Sequence, residues 1–400
     1  MPELSRRARH LGTENAFVVL AEVERLIAEG QRIVSFCIGQ PDFPTPDNVR
    51  LAGIRAITDG KTGYTASPGI PALRQAVARF LSRTRGIDVD PADVVCGCGG
   101  KPFIGYAVLS VTDYGEGHEV IYPNPGFPIY SSQIAANGAV PVPLDLRESL
   151  SFNFDPDELA RRVSDKTRLL ILCSPGNPTG SVLGRRELEQ IAEIVGPFPD
   201  LWIYSDEVYS GLVYDGEFQS IAAVPGMQER TIIVDSASKT YSMTGWRIGY
   251  AANRALAPIF TRWVTNTDSC PPHPNQFAVV EALDGPQDAA REMRDVFLRR
   301  RDMIVAGLNR IRGWSCLTPG GAFYVWPNVT EACRMVGVDN SEELRKRLLH
   351  EAGVAVLADI HFGRRVTGDG EHVRFSYASS FDAIEEGLAR IARFMADNKR

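Results

Sequence analysis

A chain of 400 residues with 44% hydrophobic content can bury large cores, and its length predicts two or three domains. The net charge of −6 is mild, and the short Arg6-Arg7, Arg299 to Arg301 and Arg364-Arg365 clusters read as solvated charge, which argues against a nucleic-acid partner held by a basic face. The apolar runs are strand-sized and the N-terminus is polar, so neither a membrane span nor a secretory signal is expected and the predicted location is cytoplasmic.

The opening segment has helical spacing from Glu14 to Glu29 and then a strand, Ile33 to Ile38. In Gly39-Gln-Pro-Asp-Phe-Pro-Thr-Pro46, three prolines in six residues forbid regular structure and predict a shaped loop. A helix from Asn48 to Asp59 leads to Gly63-Tyr-Thr-Ala-Ser-Pro-Gly-Ile70, and Pro71 opens the next helix where its missing N–H costs nothing. Strand and helix then alternate. The strands are Val94-Val95, Glu119 to Tyr122, Val140 to Leu144, Leu169 to Cys173, Leu201 to Ser205 and Thr231 to Val234; helices start at Pro102, Ile129, Pro156 and Arg185. This pattern predicts an α/β fold whose large domain is a mostly parallel sheet sandwiched by helices. A long helix with a basic run, Asp288 to Ile311, precedes a smaller mixed region holding Phe323 to Trp326, Val354 to Leu357 and Val373 to Tyr377. The expected division is a large domain over residues 46–288 and a smaller α+β domain built from both chain ends, 1–45 and 289–400.

Polar groups gather directly after three of the strands: Ser174-Pro-Gly-Asn-Pro-Thr-Gly180, Asp206-Glu-Val-Tyr209, and Ser236-Ala-Ser-Lys239. Open parallel sheets bind ligands outside the carboxyl ends of their strands, so these groups should converge. The amine of Lys239 is a nucleophile only when deprotonated or condensed with a carbonyl, and a nearby cation such as Arg247 favours both. Ser236, Ser238 and Arg247 read as a phosphate cradle. Gly97-Cys-Gly-Gly-Lys101 opens a helix with bare N–H groups, which makes an anion site without the spacing of a Walker loop or a dinucleotide fingerprint. Phe127 offers an aromatic face. The seven cysteines are odd in number, several lie in apolar runs, and Cys96 and Cys98 have no nearby Cys/His pair, so neither a metal nor a structural disulfide is expected. A Schiff-base lysine, a carboxylate for a pyridinium nitrogen, phenol and amide donors, an aromatic face and a phosphate cup together meet the needs of pyridoxal 5'-phosphate.

The stretch Ser238-Lys-Thr-Tyr-Ser-Met-Thr-Gly-Trp-Arg247 resembles the class I aminotransferase family, fold type I pyridoxal-phosphate enzymes, close to bacterial aspartate aminotransferases. The match runs from Gly39-Gln-Pro-Asp-Phe43 to Arg374-Phe-Ser-Tyr377. The resemblance implies that Lys239 carries the cofactor and moves the substrate proton, that Asp206 pairs with the pyridinium nitrogen, and that Asn177 and Tyr209 hold the ring oxygen. It also implies that Phe127 stacks on the ring and that Gly99, Gly100, Lys101, Ser236, Ser238 and Arg247 surround the phosphate. Tyr64 would reach that phosphate from a neighbouring subunit, giving a homodimer with shared sites. Arg374 would clamp the substrate α-carboxylate with Asn177 and the backbone at Ile38 and Gly39, and Lys101 could meet a distal carboxylate.

Three features depart from the family's pattern. Pro102 stands where relatives often carry Gln, and the Ser269-Cys-Pro-Pro-His-Pro274 and Ala358-Asp-Ile-His-Phe-Gly363 loops are unusual. The first, stiffened by three prolines and holding His273, is expected to shape the pocket; His361 is expected to narrow it, shifting substrate preference away from a plain aspartate enzyme. The expected activity is amino transfer from an L-amino acid to a 2-oxo acid. Two alternatives stay open: a pyridoxal-phosphate lyase, decarboxylase or oxidative biosynthetic enzyme on the same fold, and a catalytically idle ligand-sensing module.

Overall fold

A computed structural model describes residues 3–398. In chain order its strands are β1 (Val34–Ser35), β2 (Val94–Gly97), β3 (Glu119–Asn124), β4 (Val140–Arg147), β5 (Asn153–Phe154), β6 (Thr167–Cys173), β7 (Trp202–Asp206), β8 (Thr231–Ser236), β9 (Gly249–Ala252), β10 (Tyr324–Val325), β11 (Val354–Ala355), β12 (Leu357–Ala358) and β13 (Val373–Ser376). Strands β2 to β9 form one sheet in the order β2-β9-β8-β7-β6-β3-β4-β5. Neighbours from β8 across to β4 pair in parallel, whereas β9 is antiparallel to both β8 and β2 and β5 is antiparallel to β4. Gly249 therefore lies opposite both Ser236 and Gly97, which brings the carboxyl ends of β8 and β2 to one edge of the sheet.

The sheet is covered on both faces, as its nearly continuous apolar strands require. Along β6, Leu169 and Ile171 pack with Phe103 and Phe260, from the helices Pro102–Val111 and Ala257–Thr267. Leu170 and Leu172 point the other way, onto Leu188, Ile191 and Val195 of the helix Arg185–Val195. Truncating one such side chain to alanine costs on the order of 2–5 kcal/mol. A separate core joins the two chain ends: Phe36 packs with Phe297, Ile304 and Leu308 of the helix Asp288–Arg310 and with Phe323 and Phe375. Backbone pairing ties the ends as well, since β1 pairs in parallel with β11 and the Ser376 N–H donates to the Phe36 carbonyl at 2.8 Å.

Several elements differ from the sequence expectation. Strand β9 and the helix Ala257–Thr267 were not anticipated, and the stiff loop ends early because His273 and Pro274 form the first turn of the helix His273–Asp284. Proline is tolerated there because the first-turn N–H has no helical partner. Val354 to Leu357 does not make one strand; Val356 separates β11 from β12, and the two pair with different partners. Among the described residues no helix is long and apolar enough to cross a membrane.

Candidate active site

The carboxyl ends of β6, β7 and β8 and the turn after β2 open into one cavity of about 490 Å³. Of the predicted residues, Gly39, Gly100, Lys101, Phe127, Asn177, Asp206, Tyr209, Ser236, Ser238, Lys239, Arg247 and Arg374 line it, together with Ile38. Lys239 sits in the single helical turn Ala237–Thr240 directly after β8. Its Nζ donates to the Gly39 carbonyl at 2.6 Å and lies 5.9 Å from the centres of the Tyr209 and Phe323 rings. Glycine at position 39 is required, because a Cβ there would lie 1.9 Å from the Tyr324 hydroxyl oxygen. Burial brings the Lys239 pKa down from 10.5 to about 8, with Glu14 opposing and Arg374, Lys101 and Arg247 adding to the shift. A lowered pKa means more free amine at a given pH. In the cofactor-free protein, competitive acylation followed by mass spectrometry should show Lys239 labelling rising through a midpoint of about 8, and a midpoint at the ordinary 10.5 would contradict this.

Asp206 ends β7 and is buried. Its Oδ2 accepts from the Tyr130 hydroxyl at 2.6 Å, but its Oδ1 is buried with no partner. Burial pushes its pKa up to about 6, against the Tyr130 hydrogen bond. The next residue, Glu207, belongs to a buried network. Arg85 Nε donates to Glu207 at 2.9 Å and Arg85 Nη2 to Asp235 at 2.6 Å, while Ser205, Ser220 and Ser210 hydroxyls complete the two carboxylates. Removing one partner would cost about 3–5 kcal/mol, so the network fixes the ends of β7 and β8 and with them Asp206 and Ser236.

Close backbone approach fixes the turn after β2 against Arg247. Gly99 has φ +95°, and a Cβ on it would lie 2.3 Å from Arg247 Nη2. That side chain is braced by the Thr244 carbonyl at 2.8 Å and the Cys98 carbonyl at 3.2 Å. Across the cavity, buried Arg374 donates from Nη1 to Asn177 Oδ1 at 2.9 Å and from Nη2 to the Cys37 carbonyl, and its Nε has no partner. Its guanidinium carbon lies 4.5 Å from the centre of the Tyr324 ring and 4.7 Å from that of Phe362. Tyr324 also hydrogen-bonds Tyr209, hydroxyl to hydroxyl, at 2.8 Å. Tyr130, Tyr324, Phe362, Arg85 and Glu14 were not anticipated as parts of the site.

Four predicted residues lie elsewhere. Gly99 sits behind Arg247 rather than on the cavity wall, and Tyr64 is 90% exposed. His273 stacks on Phe277 and its Nδ1 lies 3.1 Å from the Gly63 carbonyl, outside the cavity. The expectation that His361 narrows the pocket is corrected: it does not line the cavity, and its Nε2 lies 3.5 Å from Glu342. In the short turn Asp359–Phe362 it is the apolar Phe362 that packs beside Arg374 and on Trp326, which leaves the polar imidazole to face a carboxylate.

An amine kept partly unprotonated by burial, in a cavity that also holds two guanidiniums, is suited to condensing with a carbonyl compound that bears acidic groups. The family model for aminotransferase class I and II matches residues 31–391. An aspartate aminotransferase from Bacillus sp. (strain YM-2) is 37% identical over 395 residues, covering 98% of this chain and 99% of its own. An aspartate/prephenate aminotransferase from Cereibacter sphaeroides is 35% identical over 99% of each chain. The solved aspartate aminotransferase from Rhizobium meliloti superposes with a TM-score of 0.93 at 32% identity over 100% of both chains. That from Thermus thermophilus with maleate gives 0.90 at 34% identity, covering 98% of this chain and 100% of its own. The chain belongs to the class I and II aminotransferase family and has the fold type I architecture; enzymes of this family in general depend on pyridoxal phosphate.

Proposed function

We propose that pyridoxal 5'-phosphate is held in this cavity and that the chain moves an amino group there from an L-amino acid to a 2-oxo acid. The observation that carries the reading is Asp206 Oδ1, a buried acceptor without a donor in the same cavity as the Lys239 amine. Such an acceptor fits a protonated pyridine nitrogen. Gly100, Ser236, Ser238 and Arg247 would hold the phosphate, Asn177 and Tyr209 the ring oxygen, and Phe127 one ring face. When bound, the cofactor supplies an electron sink that acidifies the Cα–H of an attached amino acid. Lys239 Nζ would take that proton and return it, and its lowered pKa supports the role by keeping a free-base fraction available near neutral pH. Arg374, with Asn177 and the backbone at Ile38 and Gly39, orients the α-carboxylate. This reading takes residues 46–288 as the cofactor domain and 1–45 with 289–400 as the smaller one. The test is a screen of amino donors against pyruvate, 2-oxoglutarate and oxaloacetate. A shift of the visible cofactor band with stoichiometric release of the donor's 2-oxo acid is expected, and release of ammonia or carbon dioxide in its place would overturn amino transfer.

The exposure of Tyr64 supports a homodimer in which this ring reaches the partner subunit's phosphate cup. Tyr64→Phe should weaken cofactor retention about tenfold or more, the size of a hydrogen bond to a charged group. Arg374→Ala should leave retention intact but raise the amino-acid concentration needed by about a hundredfold or more. Dialysis against free cofactor and steady-state kinetics separate the two effects. A mixed dimer of Tyr64→Phe and Lys239→Ala chains should regain one working site, and a verified heterodimer with no recovery would argue against sharing.

A further inference from the structure

Glu14 is the residue just before the helix Asn15–Ala28, yet its side chain does not cap that helix. It reaches Lys101, with Oε2 2.7 Å from Nζ, and both residues line the cavity. The first turn of that helix adds Ala16 and Phe17 to the lining, and Phe17 is 57% exposed although it is a large apolar ring. Ile38 is a further apolar residue of the lining.

We propose that Glu14 holds Lys101 neutralised at the end of the cavity that receives the substrate side chain, so that the preferred amino donor carries an uncharged apolar or aromatic side chain. This rests on the reading that the cavity takes an amino acid with its α-carboxylate at Arg374. A donor with a distal carboxylate must displace Glu14 from Lys101. It exchanges one ion contact for an equivalent one and leaves a like charge facing it, so the attraction that an unpaired lysine would offer is cancelled. A basic donor fares no better, because Lys101 already occupies Glu14. An apolar or aromatic side chain leaves the ion pair intact and covers the exposed ring of Phe17, gaining from burial instead.

The experiment measures the affinity of two unreactive probes, maleate and 3-phenylpropionate, for the holoenzyme by calorimetry. The wild-type protein should bind 3-phenylpropionate more tightly. Glu14→Gln, which keeps the size of the side chain and removes its charge, should tighten maleate about tenfold or more and leave 3-phenylpropionate unchanged. Adding Lys101→Gln to Glu14→Gln should abolish the gain. Maleate as the tighter probe in the wild type would overturn the proposal. So would a Glu14→Gln protein that binds both probes equally more tightly, because the carboxylate would then act on the whole site rather than through Lys101. A purified protein with no visible cofactor band would overturn the reading of the cavity itself. A cofactor band with the wrong probe order would overturn this inference alone.

Discussion

Replacing Lys239 by alanine should lower the amino-transfer rate by about 10⁴-fold, the upper end of what a positioned acid–base group contributes. The fold should persist, because the only hydrogen bond lost is the one to the Gly39 carbonyl, at the wall of an open cavity. Cofactor should still bind without a covalent link, since the cup at Gly100, Ser236, Ser238 and Arg247 and the Asp206 acceptor are untouched. Single-turnover kinetics with reconstituted protein and circular dichroism would measure both halves. A variant that turns over within tenfold of wild type would remove Lys239 from the chemistry.

Asp206→Asn should slow Cα proton removal by about 10²–10³-fold, the range for losing one preorganised electrostatic partner. The local geometry explains why an isosteric change costs so much. The Tyr130 hydroxyl needs an acceptor, so the asparagine oxygen would turn towards it, taking over the 2.6 Å contact now made by Oδ2. That places the amide NH2 where Oδ1 now stands, a donor facing a ring nitrogen that must be kept protonated. The fold should hold, because the Arg85 network that fixes the strand end runs through Glu207 and Asp235 instead. Half-reaction rates near wild type would refute the role.

The parts of this site that could be read from the sequence are those in which a single short stretch carries both the structural and the chemical signal. Strands β6, β7 and β8 are apolar runs ending in polar motifs, and Gly97 to Lys101 combines a strand end with a helix start. What escaped is made by pairs remote in the chain. Tyr130 meets Asp206 across 76 positions, Tyr209 meets Tyr324 across 115, and Arg85 meets Asp235 across 150. Strand β9, Gly249–Ala252, has only four residues, mostly small, and acquires its conformation from pairing with β8 and β2 on either side. His361 was misplaced for a related reason. Motif order assigns a loop to the pocket side but not the direction of each side chain, and in a tight turn Phe362 and His361 point to different neighbours. Glu14 looked like the start of a helix, and only the fold brings it to Lys101.

Borohydride reduction of the purified protein, followed by peptide mapping, tests the central claim most directly. Reduction should fix the cofactor on the peptide containing Lys239, with loss of the visible band in proportion to label incorporated. Label on Lys101, the other lysine lining the cavity, or on no lysine at all, would contradict it.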